Sequence, residues 1–231
     1  MKHGMTTASA IDLPGDSAPT YRLRGVTLDG PAGRLEGVLN EGSPQAAFSA
    51  LVCHPHPLYG GTLHNKVVYH AAKILNAVLH LPVLRFNFRG VGLSQGVFDG
   101  EREQQDVAAA VDWLERRFAR PVVVAGFSFG AGMALKACWQ RPQVKALALL
   151  GLPIVLEGRA CEYPFLPGAA KPKLFLNGDH DEFAPAAQLA ELVDRAAEPK
   201  RLVLIPRADH FFTGQLEPMQ AALLEWLKEQ L

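Results

Sequence analysis

One serine of this chain lies in a pentapeptide whose composition and position suit it to nucleophilic attack. Residues 126–130 read Gly-Phe-Ser-Phe-Gly, and the β-branched run at 121–125 precedes them, while a helix-favouring run follows. This order predicts a strand, a sharp turn and a helix, with Ser128 at the apex of the turn. Side chains at Gly126 and Gly130 would collide in so tight a bend. The strained turn would hold the Ser128 hydroxyl above the sheet, where a substrate carbonyl can reach it.

A serine hydroxyl needs a general base to become a good nucleophile, and the base needs an acid to orient it. In open α/β sheets such groups collect where the strands end. The predicted strand at 202–205 leads to His210, a candidate base. The predicted strand at 173–177 leads to three carboxylates that could be the acid: Asp179, Asp181 and Glu182. Asp209 is better explained as a loop carboxylate, because adjacent side chains tend to point apart.

Eight strand-like runs alternate with amphipathic helices along the chain. They are 21–28, 34–40, 47–53, 82–88, 121–125, 144–150, 173–177 and 202–205. Most are apolar throughout, which is typical of parallel strands covered by helices on both faces. The first two, joined by the turn residues 29–33, predict a hairpin. We therefore expect a mostly parallel eight-stranded sheet with helices on both faces. The segment 151–172 is too short for an independent lid domain.

Length and composition limit the classes of protein to consider. The chain has 231 residues, for which we expect a flexible N-terminal arm at 1–19 and one α/β domain at 20–231. Its 23 basic and 23 acidic residues give zero net charge, so neither nucleic acid nor an anionic membrane is an expected partner. No segment approaches the ~20 apolar residues of a transmembrane helix, and the N-terminus shows no signal-peptide pattern.

The cysteines favour a reducing compartment. Cys53, Cys138 and Cys161 are odd in number and widely spaced, which fits neither a disulfide framework nor a zinc site. We therefore expect a cytoplasmic protein. The sequence is compatible with a monomer or a homodimer.

Over residues 20–231 the chain resembles the α/β-hydrolase superfamily. Within it, the chain is similar to small bacterial serine hydrolases, related to dienelactone-hydrolase-like and esterase-like members, that carry His-Pro-His-Pro-x-x-Gly-Gly. That motif stands here at 54–61. A second signature of these hydrolases resembles residues 85–92, Arg-Phe-Asn-Phe-Arg-Gly-Val-Gly. A third, Gly-Asp-x-Asp-x-x-x-Pro, stands at 178–185. The Ser128 turn is the remaining motif of the four.

The resemblance implies an α/β-hydrolase fold and serine hydrolase chemistry. Serine, acid and histidine follow one another in the chain order typical of α/β-hydrolases. On these motifs, Ser128 is the implied nucleophile, Asp181 the implied acid and His210 the implied base. Asp179 is the next candidate for the acid.

Two backbone N–H groups should bind the oxyanion of the reaction. One is expected from Phe129, the residue after the nucleophile, and the other from the loop after the strand at 47–53. Pro55 and Pro57 have no N–H, which leaves three candidates in that loop: His56, Leu58 and Tyr59. Many α/β-hydrolases place His-Gly at this strand end and donate from the next residue. The resemblance therefore favours the His56 N–H, with Leu58 in reserve.

Two further patterns suggest bound groups, and neither is favoured. His54 and His56 form an H-x-H pair on an extended segment, but no further ligands follow to complete a metal site. The glycines at 90–92 resemble half of a dinucleotide fingerprint, but the third glycine, Gly96, comes one position late, and no acidic residue stands near the end of the next strand. We expect no cofactor and no metal.

Taken together, the sequence predicts a carboxylesterase-like serine hydrolase of small-molecule acyl esters. Phenylalanines gather at the predicted strand ends, where several could line an apolar acyl pocket: Phe88, Phe127, Phe129, Phe183, Phe211 and Phe212. A thioesterase, amidase or peptidase could use the same three side chains. The fold could also serve a binding protein without catalysis.

Overall fold

The computed structural model describes residues 21–156 and 159–231. The arm expected at 1–19 lies outside these residues. In chain order the strands are β1 (Leu23–Gly30), β2 (Gly33–Asn40), β3 (Ser49–Cys53), β4 (Val83–Phe86), β5 (Val122–Phe127), β6 (Val144–Leu150), β7 (Val155–Leu156), β8 (Arg159–Ala160), β9 (Lys173–Gly178) and β10 (Lys200–Ile205). The α-helices are α1 (Lys66–Lys73), α2 (Glu103–Phe118), α3 (Phe129–Cys138), α4 (Ala186–Asp194) and α5 (Leu216–Gln230).

Eight of the strands form one sheet in the order β1-β2-β4-β3-β5-β6-β9-β10. β2 pairs antiparallel with β1 and β4, and the pairs from β4 to β10 are parallel. The predicted mostly parallel eight-stranded sheet is therefore confirmed. Because parallel strands point the same way, the loops after β3, β4, β5, β9 and β10 all leave the sheet at one edge.

Helices cover both faces of the sheet, as predicted. Within β5, Val122 and Val124 join the apolar cluster under α2, α3 and α4, whereas Val123 and Ala125 join the cluster under α1 and α5. This alternation follows from the two-residue period of a strand. A central strand buried on both faces must be apolar at every position, which explains the continuous β-branched run.

Several element boundaries differ from the sequence expectation, for physical reasons. β10 begins at Lys200 rather than at 202, because an edge strand tolerates half-buried charged residues such as Lys200 and Arg201. The first turn of α2 buries the polar residues Glu103 and Asp106. α1 continues into a π-helical turn, Ile74–Val78.

The connection between β6 and β9 carries no independent lid domain in its described part. It contains the small antiparallel hairpin β7–β8 and a 3-10 turn, Leu166–Gly168. The two-residue strands of this hairpin are too short to give a periodic signal in the sequence. Across 21–156 and 159–231, no helix combines the length and apolarity needed to cross a membrane.

Candidate active site

The turn between β5 and α3 holds Ser128 in a strained backbone conformation. Its φ is 55° and its ψ is −122°, a region that costs a non-glycine residue about 1–3 kcal/mol. A side chain at Gly126 would approach the carbonyl oxygen of Gly130 to 2.4 Å, and one at Gly130 would approach that of His54 to 2.4 Å. The two glycines thus let the strand, the helix and the loop after β3 meet at the serine, as the sequence predicts.

Ser128, His210 and Asp181 form one hydrogen-bonded chain. Ser128 Oγ lies 2.9 Å from His210 Nε2, and His210 Nδ1 lies 2.9 Å from Asp181 Oδ2. The three residues follow β5, β10 and β9, whose carboxyl ends share one edge of the sheet. Ser128 is 7% exposed, Asp181 2% and His210 3%, so the two contacts are largely shielded from water.

Electrostatics determines which nitrogen of His210 carries the proton. A carboxylate oxygen can only accept a hydrogen bond. The Nδ1 facing Asp181 therefore carries the proton and donates it to Oδ2. Nε2 of the neutral imidazole is then an acceptor, positioned to receive the Ser128 hydroxyl proton.

The competing carboxylates lie elsewhere. Glu182 is exposed, and Asp179 Oδ1 lies 3.8 Å from Nε2 of the exposed His180. Asp209 Oδ1 accepts hydrogen bonds from the N–H groups of Phe211 and Thr213, at 3.0 and 2.9 Å. Asp209 thus shapes the loop that carries His210, which agrees with its interpretation as a loop carboxylate.

The loop at 54–61 is anchored by His54, which is fully buried. Its Nδ1 donates to the Pro55 carbonyl oxygen at 2.7 Å, and its Nε2 accepts the Phe88 N–H at 3.0 Å. Burial lowers the pKa of His54 to about 4, so the ring is neutral at pH 7. Because both ring nitrogens bond to backbone groups, His54 is not available to bind a metal, and its role is to join the loops after β3 and β4.

The same loop limits the choice of oxyanion donor. The Leu58 N–H donates to His56 Nδ1 at 3.3 Å, and the Tyr59 N–H donates to the His56 carbonyl oxygen at 3.1 Å. Two of the three candidate N–H groups are therefore directed within the loop. The His56 ring packs 5.1 Å from the ring of Phe129, which places the two favoured donor residues side by side. Their role as donors stays a prediction.

The second signature, at 85–92, is a structural support for the site. Asn87 Oδ1 accepts the Leu63 N–H at 2.8 Å, and its Nδ2 donates to Glu36 Oε2 at 2.7 Å. Arg89 forms a buried ion pair with Asp106, with Nη2 2.7 Å from Oδ1. These contacts fix the loop after β4 to β2 and α2.

Aromatic rings pack around Phe129 and around His210, the two residues that adjoin Ser128. On the side of the 54–61 loop, Phe98 packs 5.0 Å from His56 and 5.6 Å from Phe129. On the side of His210, the rings of Phe183 and Phe211 lie 4.6 and 5.2 Å from the imidazole. The predicted clustering of phenylalanines at the strand ends is thus observed, although some of them are fully buried.

Two residues near the catalytic candidates gave no signal in the sequence. Gly151 has a φ of 55°, and a β-carbon there would lie 3.1 Å from His210 Cε1. Asn177, at the end of β9, donates from Nδ2 to Asp181 Oδ2 at 3.1 Å. Neither lies in a recognisable motif, because each acts on a residue brought close only by folding.

Comparison with known proteins identifies the family. The α/β-hydrolase domain family matches residues 60–221, and the chain therefore belongs to the α/β-hydrolase family. An uncharacterized protein of Rickettsia prowazekii is 38% identical over 210 residues, which cover 87% of each chain.

Two solved structures share this fold at substantial identity. An α/β serine hydrolase without lid from Xanthomonas campestris is 33% identical, with a TM-score of 0.78 over 92% of this chain and 96% of its own. An α/β serine hydrolase homologue from Coxiella burnetii is 36% identical, with a TM-score of 0.80 over 87% and 96%. Family and neighbours together support hydrolase activity for this chain.

Proposed function

We propose that this protein is a carboxylesterase-like serine hydrolase that cleaves small acyl esters through an acyl-serine intermediate. The observation that carries the proposal is the pair of 2.9 Å contacts that join Ser128 Oγ to His210 Nε2 and His210 Nδ1 to Asp181 Oδ2. A nucleophile, a base and an orienting acid in this arrangement are what acyl transfer requires.

In the first half of the reaction, Ser128 Oγ attacks the ester carbonyl carbon while His210 Nε2 takes the hydroxyl proton. Asp181 holds the imidazole in the required tautomer and stabilises the imidazolium that forms. The tetrahedral intermediate collapses as the C–O bond to the alcohol breaks and Nε2 returns its proton to the leaving oxygen. Water then attacks the acyl-serine with His210 again as the base, which releases the carboxylic acid and restores Ser128.

The oxyanion of each tetrahedral intermediate would be held by the N–H groups of Phe129 and His56. Phe129 is the first residue of α3, where a helix leaves its N–H groups without intrahelical partners. The positive end of the helix dipole adds to the attraction for the oxyanion. Removal of one such donor costs about 3–4 kcal/mol of transition-state stabilisation.

The aromatic rings around Phe129 and His210 favour an ester with apolar groups. Phe211 is 54% exposed and Tyr59 is 66% exposed, and their rings lie 5.2 Å from the His210 ring and 4.8 Å from the His56 ring. Exposed apolar surface beside a site is typical of one that binds an apolar ligand. The proposed chemistry uses only protein groups and water, and therefore requires no cofactor.

The test is Ser128→Ala, assayed with p-nitrophenyl acetate and butyrate. We expect kcat to fall by at least about a thousandfold with the fold retained. Ser43→Ala, remote from the site, is the matched control and should keep wild-type turnover. Undiminished turnover of Ser128→Ala would rule out the proposal.

Labelling with a fluorophosphonate distinguishes the main alternatives. A reactive serine is labelled, whereas a binding protein of the same fold is not. Matched ester, thioester and amide substrates then rank the bond types by kcat/KM. We expect the ester to rank first, and a higher value for the thioester would assign a thioesterase instead.

A further inference from the structure

Asn177 makes a hydrogen bond to Asp181 that is not part of the proposed Ser128, His210 and Asp181 triad. It is fully buried near the end of β9. Its Nδ2 lies 3.1 Å from Asp181 Oδ2, the same oxygen that accepts the His210 Nδ1–H at 2.9 Å. Since a carboxylate only accepts hydrogen bonds, the amide must present its NH2 group to Asp181.

Asn177 Oδ1 is buried and accepts no hydrogen bond from any residue that the structure describes. A buried acceptor without a donor is unfavourable. An apolar side chain of similar size would fill the same space without that cost. The Nδ2 hydrogen bond to Asp181 Oδ2 is the contact that distinguishes an asparagine from an apolar side chain at this position.

The contact joins a loop to a strand of the sheet. Asp181 lies in the loop that follows β9, and its Oδ1 accepts the Phe183 N–H of that same loop at 2.9 Å. Asn177 belongs to a strand that is paired on both sides, with β6 and β10. Its amide therefore ties the carboxylate to the sheet, and it does so at the oxygen that orients His210.

We propose that Asn177 is a positioning residue, which fixes Asp181 Oδ2 so that the His210 imidazole is aligned with Ser128 Oγ. The proposal rests on the proposed Ser-His-Asp function. Because the amide acts through Asp181 and touches no reacting atom, its loss should lower kcat and leave KM unchanged. Misplacement of a catalytic group by less than 1 Å gives losses between about tenfold and about a hundredfold.

The test compares two replacements of Asn177 with a buried asparagine elsewhere. Asn177→Leu removes the donor, and the isosteric Asn177→Asp replaces it with a second carboxylate. The matched control is Asn76→Leu, since Asn76 Nδ2 donates to the carbonyl oxygens of Glu41 and Leu81 at 2.7 and 2.8 Å, away from the site. Each variant is assayed for kcat, KM, melting temperature and the rate of fluorophosphonate labelling.

We expect the Asn177 variants and the Asn76 variant to differ in which property they lose. Asn177→Leu should have a lower kcat and a slower labelling rate than the wild type, with little change in melting temperature. The fall in kcat should be larger for Asn177→Asp, because its carboxylate repels that of Asp181. Asn76→Leu should have a lower melting temperature and an unchanged kcat, because it removes two hydrogen bonds that hold no catalytic group.

Two outcomes would overturn the proposal. One is a kcat for Asn177→Leu within about twofold of the wild type, and the other is a loss confined to KM. If Asn177→Leu does not fold, a folded Asn177→Asp with undiminished kcat overturns it equally. A failure of the proposed function would be seen separately, as activity retained in Ser128→Ala.

Discussion

Gly151 lies so close to the imidazole of His210 that an added β-carbon would contact the ring more tightly than is usual in proteins. A β-carbon at Gly151 would stand 3.1 Å from His210 Cε1 and 3.0 Å from Phe127 Cε2. Gly151 ends the turn after β6, and its N–H donates to the Leu176 carbonyl oxygen at 2.9 Å, so the backbone cannot easily retreat. An alanine at Gly151 would therefore require the ring of His210 or of Phe127 to shift by a few tenths of an ångström.

We expect Gly151→Ala to displace His210 and to lower kcat/KM by about tenfold or more. The φ of 55° also makes alanine unfavourable here, by about 1–2 kcal/mol of stability. Gly214→Ala is the matched control, because Gly214 has a φ of 68° but nothing within 4 Å of an added β-carbon. Urea denaturation should show a loss of stability in both variants, at least as large in Gly151→Ala as in Gly214→Ala, and only Gly151→Ala should lose activity. Equal activity in both would contradict this assignment.

The buried His54 should make the protein less stable in mild acid. Burial lowers its pKa from 6.5 to about 4 in the folded state, so the unfolded chain binds the proton more tightly. The free energy of unfolding therefore falls as the pH drops from 6.5 towards 4, by up to roughly 3 kcal/mol from this group. Above pH 6.5 both states are neutral at His54 and the effect is absent.

Denaturation by urea at pH 7 and pH 4.5 measures this effect. His54→Gln removes the titrating group, so the difference in stability between the two pH values should be smaller in that variant than in the wild type. His64→Gln, at an exposed histidine of the same region, should behave as the wild type. An unchanged difference in His54→Gln would show that other groups cause the acid sensitivity.

The buried ion pair beneath the loop after β4 should be sensitive to the loss of one partner. The Arg89 and Asp106 side chains are 3% and 0% exposed, and Asp106 also accepts the Arg89 backbone N–H at 3.0 Å. Asp106→Asn removes the carboxylate that contacts the guanidinium directly and leaves only the interactions with Glu103 and Asp99, which should cost up to about 3–5 kcal/mol. The exposed pair Arg201–Glu229 is the control, and Glu229→Gln should cost ~1 kcal/mol or less. Similar losses of stability in Asp106→Asn and Glu229→Gln, measured by thermal denaturation, would contradict this prediction.

The exposed ring of Phe211 should contribute to the binding of apolar substrates. It lies 5.2 Å from the His210 ring, where the leaving alcohol would receive its proton. Phe211→Ala should therefore raise KM several-fold, by roughly 1 kcal/mol or more of lost apolar contact, for esters with a large alcohol group. Esters of small alcohols should be affected less. Tyr69→Ala, at a ring that is similarly exposed but lies on α1, should leave both KM values unchanged.

The sequence alone was sufficient for the parts of the molecule that depend on local pattern. Apolar and β-branched runs predicted the eight strands of the main sheet, because a strand buried on both faces must be apolar throughout. The glycines around Ser128 predicted the sharp turn, since only small residues fit there. The chain order of motifs indicated Asp181 and His210, and the structure places both in line with Ser128.

The tertiary structure decided what depends on contacts between distant segments. The role of the His54 ring could not be read from the H-x-H pair, because its partner is the N–H of Phe88, which lies in the loop after β4. The same holds for Gly151 and Asn177, whose importance comes from His210 and Asp181 rather than from any motif of their own. Local sequence determines which backbone turns are possible. The distances between side chains in loops that follow different strands are set by packing. The alignment of Ser128, His210 and Asp181 depends on such distances.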